Sequence, residues 1–142
     1  SIHAVSQRYL KSKFLQNNFI KSSDNVKKHL IHKLRYKRRE YFGIVLLNGR
    51  NQIIYFKDLF VGTLTSSAVF PREVIKEIIE FDAAVIILVH NYPSGNPNSS
   101  NEDIKITQRL MKACSLIDVT IHDHLIIAGN EITSFADKGL MN

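Results

Sequence analysis

The sequence has 142 residues, of which 44% are hydrophobic and 23% charged, and its formal net charge is +6 at pH 7. These values are ordinary for a globular chain of one-domain size, and no apolar run approaches the roughly 20 residues that cross a bilayer, so we expect no membrane association. Cys114 is the only cysteine, which excludes an internal disulfide and a multi-cysteine zinc cluster and favours a cytoplasmic protein.

The positive charge is concentrated in the first part of the chain, which we interpret as a basic N-terminal arm. Residues 1–39 hold eleven Lys and Arg against Asp24 alone, a net charge of +10, whereas residues 40–142 hold eight against twelve acids, a net charge of −4. Hydrophobic residues recur at three- and four-residue steps, which predicts an amphipathic helix over residues 2–19 and a second one after the capping residues 22–24. We therefore divide the chain into a helical arm, 1–39, and a domain, 40–142.

The arm ends in a dense cluster of cations at residues 35–39. Such a cluster could contact an acidic protein surface or the phosphates of a nucleic acid. A solvated helix face explains the same cluster without any partner, and this is the simpler interpretation. The two predicted helices also offer a surface on which a second copy of the chain could pack, so the oligomeric state stays open.

The elements after the arm are a predicted hairpin and a helix. Residues 41–47 form an apolar strand, Asn48-Gly49-Arg50-Asn51 is the turn, and residues 52–60 return as a second strand. After a polar loop, Pro71 at a first helical position opens a helix over residues 72–81. This helix leads the chain back to the sheet.

The central strand is predicted over residues 83–90, because these residues are apolar without alternation until His90. Such a run is typical of a strand that is covered on both faces. A second helix is predicted over residues 101–116, followed by a strand over 119–128 that turns into a last strand over 131–135. One crossover pair combined with hairpins predicts an α/β fold in which a mixed β-sheet is sandwiched by helices.

Residues whose side chains can bind a metal or take part in catalysis lie at the carboxyl end of the central strand. His90 lies at the start of a loop that leads to the next helix. In α/β sheets, ligands bind in the crevice at the carboxyl ends of the strands. If the chain stays extended, residue 92 points the same way as His90, and Asp103 on the first turn of the helix can close back toward both. Two imidazoles and a carboxylate would be an ordinary ligand set for a zinc hydrolase, but position 92 is Tyr92.

Each of these residues alone has a simpler structural explanation. Ser100 and Asp103 form a helix capping box, and a histidine at a strand end is more often hydrogen-bonded than metal-bound. Their joint spacing, however, resembles the JAMM signature, which is His-x-His-Pro, six residues, then Ser-x-x-Asp, with a Glu far upstream. Here the chain reads His90-Asn91-Tyr92-Pro93, six residues, and then Ser100-Asn101-Glu102-Asp103.

The resemblance is strongest to the RadC-like branch of the MPN/JAB metalloprotease family and runs from residue 22 to residue 141. Members of this branch read His-Asn-His-Pro-Ser-Gly where this chain has residues 90–95, and further matches lie at residues 62–67, 71–74, 123–127 and 139–140. The family implies a cytidine-deaminase-like MPN/JAB architecture. The helical domain that usually precedes it in RadC proteins is not in this sequence, so we expect a fragment or a short form.

The resemblance also implies roles for the residues at matching positions. His90 and Asp103 would be zinc ligands, Glu40 would be the general base that activates water, and Ser100 would donate a hydrogen bond to the oxyanion of the intermediate. The substrate would be a peptide or isopeptide bond of a protein. His124 matches a family position that has no ligand role, so we interpret it as a core histidine or one that supports a ligand.

Tyr92 departs from the family pattern at the second zinc ligand. A phenol has a pKa of about 10, so it is mostly protonated at neutral pH and ligates poorly unless the metal removes its proton. Zinc is expected to bind weakly or not at all, unless Tyr92 binds as tyrosinate, Glu40 enters the ligand shell or a water replaces the imidazole. We predict an intact fold with a damaged zinc site, and we expect hydrolysis to be absent rather than present.

Three functions stay open at this point. The first is a zinc-dependent JAMM-type metallopeptidase that tolerates Tyr92, and the second is a non-catalytic MPN-type binding module that acts through its basic arm. The third, a role in DNA repair, rests on the traditional name of the family and on the charge of the arm, and no base-reading motif supports it. Zinc deaminases are excluded because they need His-x-Glu with Pro-Cys-x-x-Cys.

Overall fold

A computed structural model of the chain describes residues 40–62, 69, 71–92 and 101–141. These ranges contain β1 (Tyr41–Leu47), β2 (Ile53–Val61), α1 (Pro71–Glu80), β3 (Val85–Asn91), α2 (Asn101–Ser115), β4 (Thr120–Ala128) and β5 (Glu131–Ser134). Every element predicted from residue 41 onward is confirmed, with ends within two residues of the prediction. The helices predicted for the arm lie outside the described residues. Within the described ranges, no helix has the length and apolar character needed to cross a membrane.

The strands form one mixed sheet in the order β2-β1-β3-β4-β5. β1 pairs antiparallel with both β2 and β3, β3 pairs parallel with β4, and β4 pairs antiparallel with β5. α2 makes the crossover that a parallel pair requires. β3 lies at the centre, and all seven of its residues are buried, as its unbroken apolar run predicts. The sheet and its helices confirm the predicted α/β fold.

Both described helices pack on the same face of the sheet. Apolar side chains of α1 and α2 share a cluster with alternate residues of β1 and β3, including Val74, Ile78, Ile106, Leu110, Ile44, Leu46, Ile86 and Leu88. The residues between these, such as Val45 and Ile87, join residues of β2 and β4 in a second cluster on the opposite face. Because side chains alternate across a strand, the two central strands are buried on both sides.

One irregularity in the sheet decides which side chains of β4 face the helices. The pairing with β3 passes from Ile121 directly to Asp123, so His122 is an extra residue in β4. A single extra residue shifts the alternation of side chains between the two faces. As a result Ile121 and His124 both lie on the helix face of the sheet.

Candidate metal centre

Three of the residues predicted for the site meet at the imidazole of His90. Nδ1 of His90 lies 2.8 Å from Oδ1 of Asp103, and Nε2 lies 3.3 Å from Oε2 of Glu40. His90 and Asp103 are both buried, whereas the Glu40 side chain keeps 31% of its surface exposed. The imidazole therefore has a carboxylate beside each of its nitrogens, one buried and one that solvent can reach.

Two neighbouring strands and one helix bring these side chains together. Phe42 of β1 is the register partner of His90, so Glu40, two residues before Phe42, lies at the same edge of the sheet. The backbone N–H of Tyr41 donates to Oδ1 of Asn91 at 2.6 Å, which holds the start of β1 against the end of β3. Asp103 comes from the first turn of α2, where the helix dipole also favours a carboxylate.

One turn further along α2, Thr107 lies beside a second histidine. Thr107 is fully buried, and its hydroxyl donates to the backbone carbonyl oxygen of Asp103 at 2.7 Å. The same hydroxyl oxygen lies 2.6 Å from Nδ1 of His124 on β4. Because residues i and i+4 lie on one face of a helix, a single face of α2 contacts both His90 and His124.

His124 is buried, as a core histidine would be, but its ring is only partly hydrogen-bonded. The ring contacts Phe42 edge-on, with centroids 5.9 Å apart, and Phe135 at 4.5 Å. Its Nε2 is buried and has no hydrogen-bond partner among the residues that the structure describes. Burial lowers the pKa of His124 to about 3; the charge of Asp103 acts in the opposite direction, and His90 lowers the pKa further. His124 is therefore uncharged at neutral pH.

Together His90, Asp103 and His124 form a cluster that fits a metal ion. One donor atom from each residue lies within 4.8 Å of the others, and all three residues are buried. Ligands about 2.0–2.1 Å from a tetrahedral zinc ion lie about 3.4 Å apart, so binding requires a contraction of at most about 1.4 Å. Two imidazoles with a carboxylate are an ordinary donor set for catalytic zinc. The buried Nε2 of His124 makes no hydrogen bond with the described residues, so it is available to such an ion.

Sequence reasoning interpreted His124 as a core histidine or one that supports a ligand, and it did not include His124 among the donor atoms of the cluster. The available signal was the polar pair Asp123 and His124, which ends the polar run 122–124 and precedes the apolar second half of the strand. Regular alternation cannot say which of the two residues faces the helices. The extra residue at His122 decides in favour of His124, and no local pattern marks that position.

Tyr92 lies directly beside His90, where the spacing of the motif predicts the second ligand. The two ring centroids are 4.8 Å apart and the rings are nearly perpendicular, an edge-on contact. The backbone N–H of Tyr92 donates to the carbonyl oxygen of Ile127 at 2.7 Å, which continues the pairing with β4 beyond the end of β3. Metal ligation by Tyr92 stays a prediction. Ser100, the predicted oxyanion donor, lies outside the described residues.

The chain is similar to known proteins along most of its length. Residues 20–140 match the family model described as the RadC-like JAB domain. The chain is 39% identical over 137 residues to UPF0758 protein IL0240 of Idiomarina loihiensis, an alignment that covers 96% of this chain and 61% of the relative. It is 41% identical over 135 residues to a UPF0758 protein of Saccharophagus degradans, with 95% and 60% covered. It is also 43% identical over 122 residues to one of Alkaliphilus metalliredigens, with 86% and 53% covered. The chain thus spans less than two thirds of the length of these relatives.

Proposed function

Because this chain belongs to the RadC-like JAB domain family, we propose that it is a zinc-dependent hydrolase of peptide or isopeptide bonds whose metal site is weakened by Tyr92. The substitution at Tyr92 taken alone predicts that hydrolysis is absent. The observation that favours a hydrolase instead is the position of His90 between Asp103, at 2.8 Å, and Glu40, at 3.3 Å. The buried carboxylate on one side could serve as a ligand of a metal ion, and the solvent-accessible one on the other side could serve as a proton acceptor.

Each residue of the proposed site has its own task. His90 and Asp103 hold the metal, which when bound supplies a Lewis acid that acidifies water and polarises the substrate carbonyl. Glu40 accepts the proton of the attacking water and passes it to the leaving amine, and its partial exposure allows water to reach it. Ser100 donates a hydrogen bond to the oxyanion of the tetrahedral intermediate, the role that its family position implies.

Tyr92 sets the strength of this site. A protonated phenol is a poor ligand at neutral pH, because its pKa is about 10 before any metal acts on it. Loss of a residue that only supports a ligand costs about 10–100-fold in metal affinity or activity, and loss of a ligand itself should cost at least as much. We therefore expect zinc affinity at least 10-fold below that of the same chain with histidine at position 92.

A non-catalytic binding module is the second candidate, and the contact made by Tyr92 is the observation that favours it. The ring of Tyr92, packed nearly perpendicular to that of His90, puts an aromatic ring at the position where the family pattern has an imidazole. In that case the basic arm, residues 1–39, would carry the interaction, with an acidic protein surface or a nucleic acid as partner. A role linked to DNA repair belongs to this second proposal.

Zinc content and zinc affinity at neutral pH distinguish the two candidates. Wild type is measured beside His90→Ala, which removes a proposed ligand, and Tyr92→His, which restores the family pattern. The hydrolase proposal requires one equivalent of zinc in wild type that His90→Ala removes. Wild type that holds no zinc, together with Tyr92→His that binds it, contradicts the proposal and turns the search to partners of the basic arm.

Hydrolysis is then tested on zinc-loaded protein with quenched fluorescent peptides and an isopeptide-linked substrate. Glu40→Gln should keep zinc and lose at least 100-fold in kcat, because it removes the proton acceptor and leaves His90 and Asp103 in place. Glu131→Gln is the matched control, since Glu131 is an exposed glutamate at the start of β5. Equal activity of Glu40→Gln and wild type would remove Glu40 from the mechanism.

A further inference from the structure

We propose that His124 is a protein ligand of the zinc site and compensates for the histidine that this chain lacks at position 92. This inference rests on the proposed zinc site and adds a residue that the family pattern does not assign to it. Three observations support it. Donor atoms of His90, Asp103 and His124 lie close together, a hydrogen bond fixes the His124 ring, and the buried Nε2 of His124 makes no hydrogen bond with the described residues.

The hydrogen bonds of Thr107 determine which nitrogen of His124 carries the proton. A threonine hydroxyl has one hydrogen, and Thr107 donates it to the backbone carbonyl oxygen of Asp103 at 2.7 Å. The same oxygen lies 2.6 Å from Nδ1 of His124, so there it must act as the acceptor. Nδ1 is therefore the protonated nitrogen, and Nε2 carries an available lone pair.

Among the described residues, none donates a hydrogen bond to this lone pair of Nε2. It is buried and makes no hydrogen bond within the described part of the chain. Phe42 and Phe135 pack against the same ring, so its other neighbours include two apolar side chains. A buried polar atom without a partner is costly and rare in folded proteins. A metal ion shared with His90 and Asp103 would satisfy it.

The arrangement also explains how one helix can build such a site. Asp103 of α2 supplies a carboxylate beside His90, and Thr107, one turn later, orients His124 through its Nδ1–H. Histidine ligands of metals commonly have their second nitrogen held by a hydrogen bond of this kind, which fixes the tautomer and the ring. Thr107 is therefore a positioning residue for His124.

Zinc affinity of matched variants tests this inference. The probe is zinc chloride in competition with a chromophoric chelator, and the proteins are wild type, His124→Gln, His122→Gln, Tyr92→His and the double variant Tyr92→His with His124→Gln. His122 is an exposed histidine two residues away on β4, so its substitution controls for general effects on the strand. Circular dichroism verifies that each variant is folded.

We expect His124→Gln to lower zinc affinity at least 10-fold in the wild-type background and His122→Gln to leave it unchanged. In the Tyr92→His background the loss caused by His124→Gln should be smaller, because the restored histidine supplies the missing ligand. Zinc binding by wild type that His124→Gln leaves unchanged overturns the role of His124 and leaves the proposed site standing. If neither wild type nor Tyr92→His binds zinc, the proposed zinc site itself fails. If only Tyr92→His binds, His124 does not compensate.

A measurement on wild type alone decides the case if His124→Gln does not fold. Long-range ¹H–¹⁵N correlation spectra distinguish protonated, free and metal-bound imidazole nitrogens. Before zinc is added, His124 should show a protonated Nδ1 and a free Nε2, and zinc should shift the Nε2 signal while Nδ1 stays protonated. A zinc-loaded protein in which the His124 signals do not move contradicts the inference.

Discussion

Replacement of Thr107 with valine removes the hydroxyl beside His124 and keeps the shape of the side chain. In wild type that hydroxyl accepts the Nδ1 proton of His124 and donates to the carbonyl oxygen of Asp103. A neutral imidazole carries one N–H in either tautomer, and after the substitution neither ring nitrogen retains a hydrogen-bond partner among the described residues. An unsatisfied buried donor costs about 1–3 kcal/mol, so we expect the free energy of unfolding to fall by about 2 kcal/mol.

Equilibrium unfolding in urea, with a chelator present to keep the protein metal-free, measures this difference. The midpoint should fall by about 1 M with the slope unchanged. Thr107→Ser keeps the hydroxyl and loses one methyl group, so it should cost only about 1 kcal/mol. Thr120→Val, at an exposed position of β4, is the control and should stay within about 0.5 kcal/mol of wild type. A Thr107→Val protein as stable as wild type would refute the tautomer assignment and the free lone pair on Nε2.

Three further predictions concern the structure around the site. Gly43→Ala places a Cβ 2.7 Å from the carbonyl oxygen of Lys57 and should lower the melting temperature by about 3–8 °C. Gly49→Ala is the control and should leave the melting temperature unchanged, because its Cβ has no atom of the described residues within 4 Å. Asp123→Ala leaves two backbone N–H groups and one hydroxyl without their acceptor. It should lower the free energy of unfolding in urea by about 2–4 kcal/mol, and a loss below about 1 kcal/mol would contradict this. Because burial lowers the pKa of His124 to about 3, whereas an unfolded histidine titrates near about 6.5, the unfolded state alone takes up this proton between those values. As the pH falls below about 6.5, the free energy of unfolding of metal-free wild type should therefore decrease by up to about 1.4 kcal/mol per pH unit relative to that of His124→Gln. Urea titrations that give the two proteins equal pH slopes would contradict this prediction.

The strands and helices could be predicted because their signals are local. The unbroken apolar run that ends at His90 marks a strand buried on both faces, and β3 is buried along its whole length. Pro71 marks the first residue of α1, and the turn after residue 47 marks the hairpin. Each of these signals lies within a few residues of the element that it predicts, so no knowledge of tertiary contacts is needed.

The site could be predicted only in part, because its members are far apart in sequence. Glu40 and His90 are 50 residues apart. No local pattern connects them, and the prediction that they share a site came from the resemblance of the motif to its family. His124 lies near His90 because β3 and β4 pair in parallel. The rotation of α2 about its axis places Thr107 in contact with His124. Neither the register nor the rotation is encoded in a short segment, so the role of His124 required the structure.

The extra residue in β4 lets the strand change its length by one residue without changing what faces α2. His122 is exposed, and many side chains could replace it without changing what faces α2. Its deletion would remove the irregularity, because Ile121 and Asp123 already pair with the consecutive residues Ile86 and Ile87, and it would leave Ile121 and His124 on the helix face. Regular pairing with His122 retained would instead bring Asp123 to the helix face and turn His124 away from it. Among natural variants of this domain, position 122 should therefore accept both substitutions and a one-residue gap while the histidine at position 124 is kept.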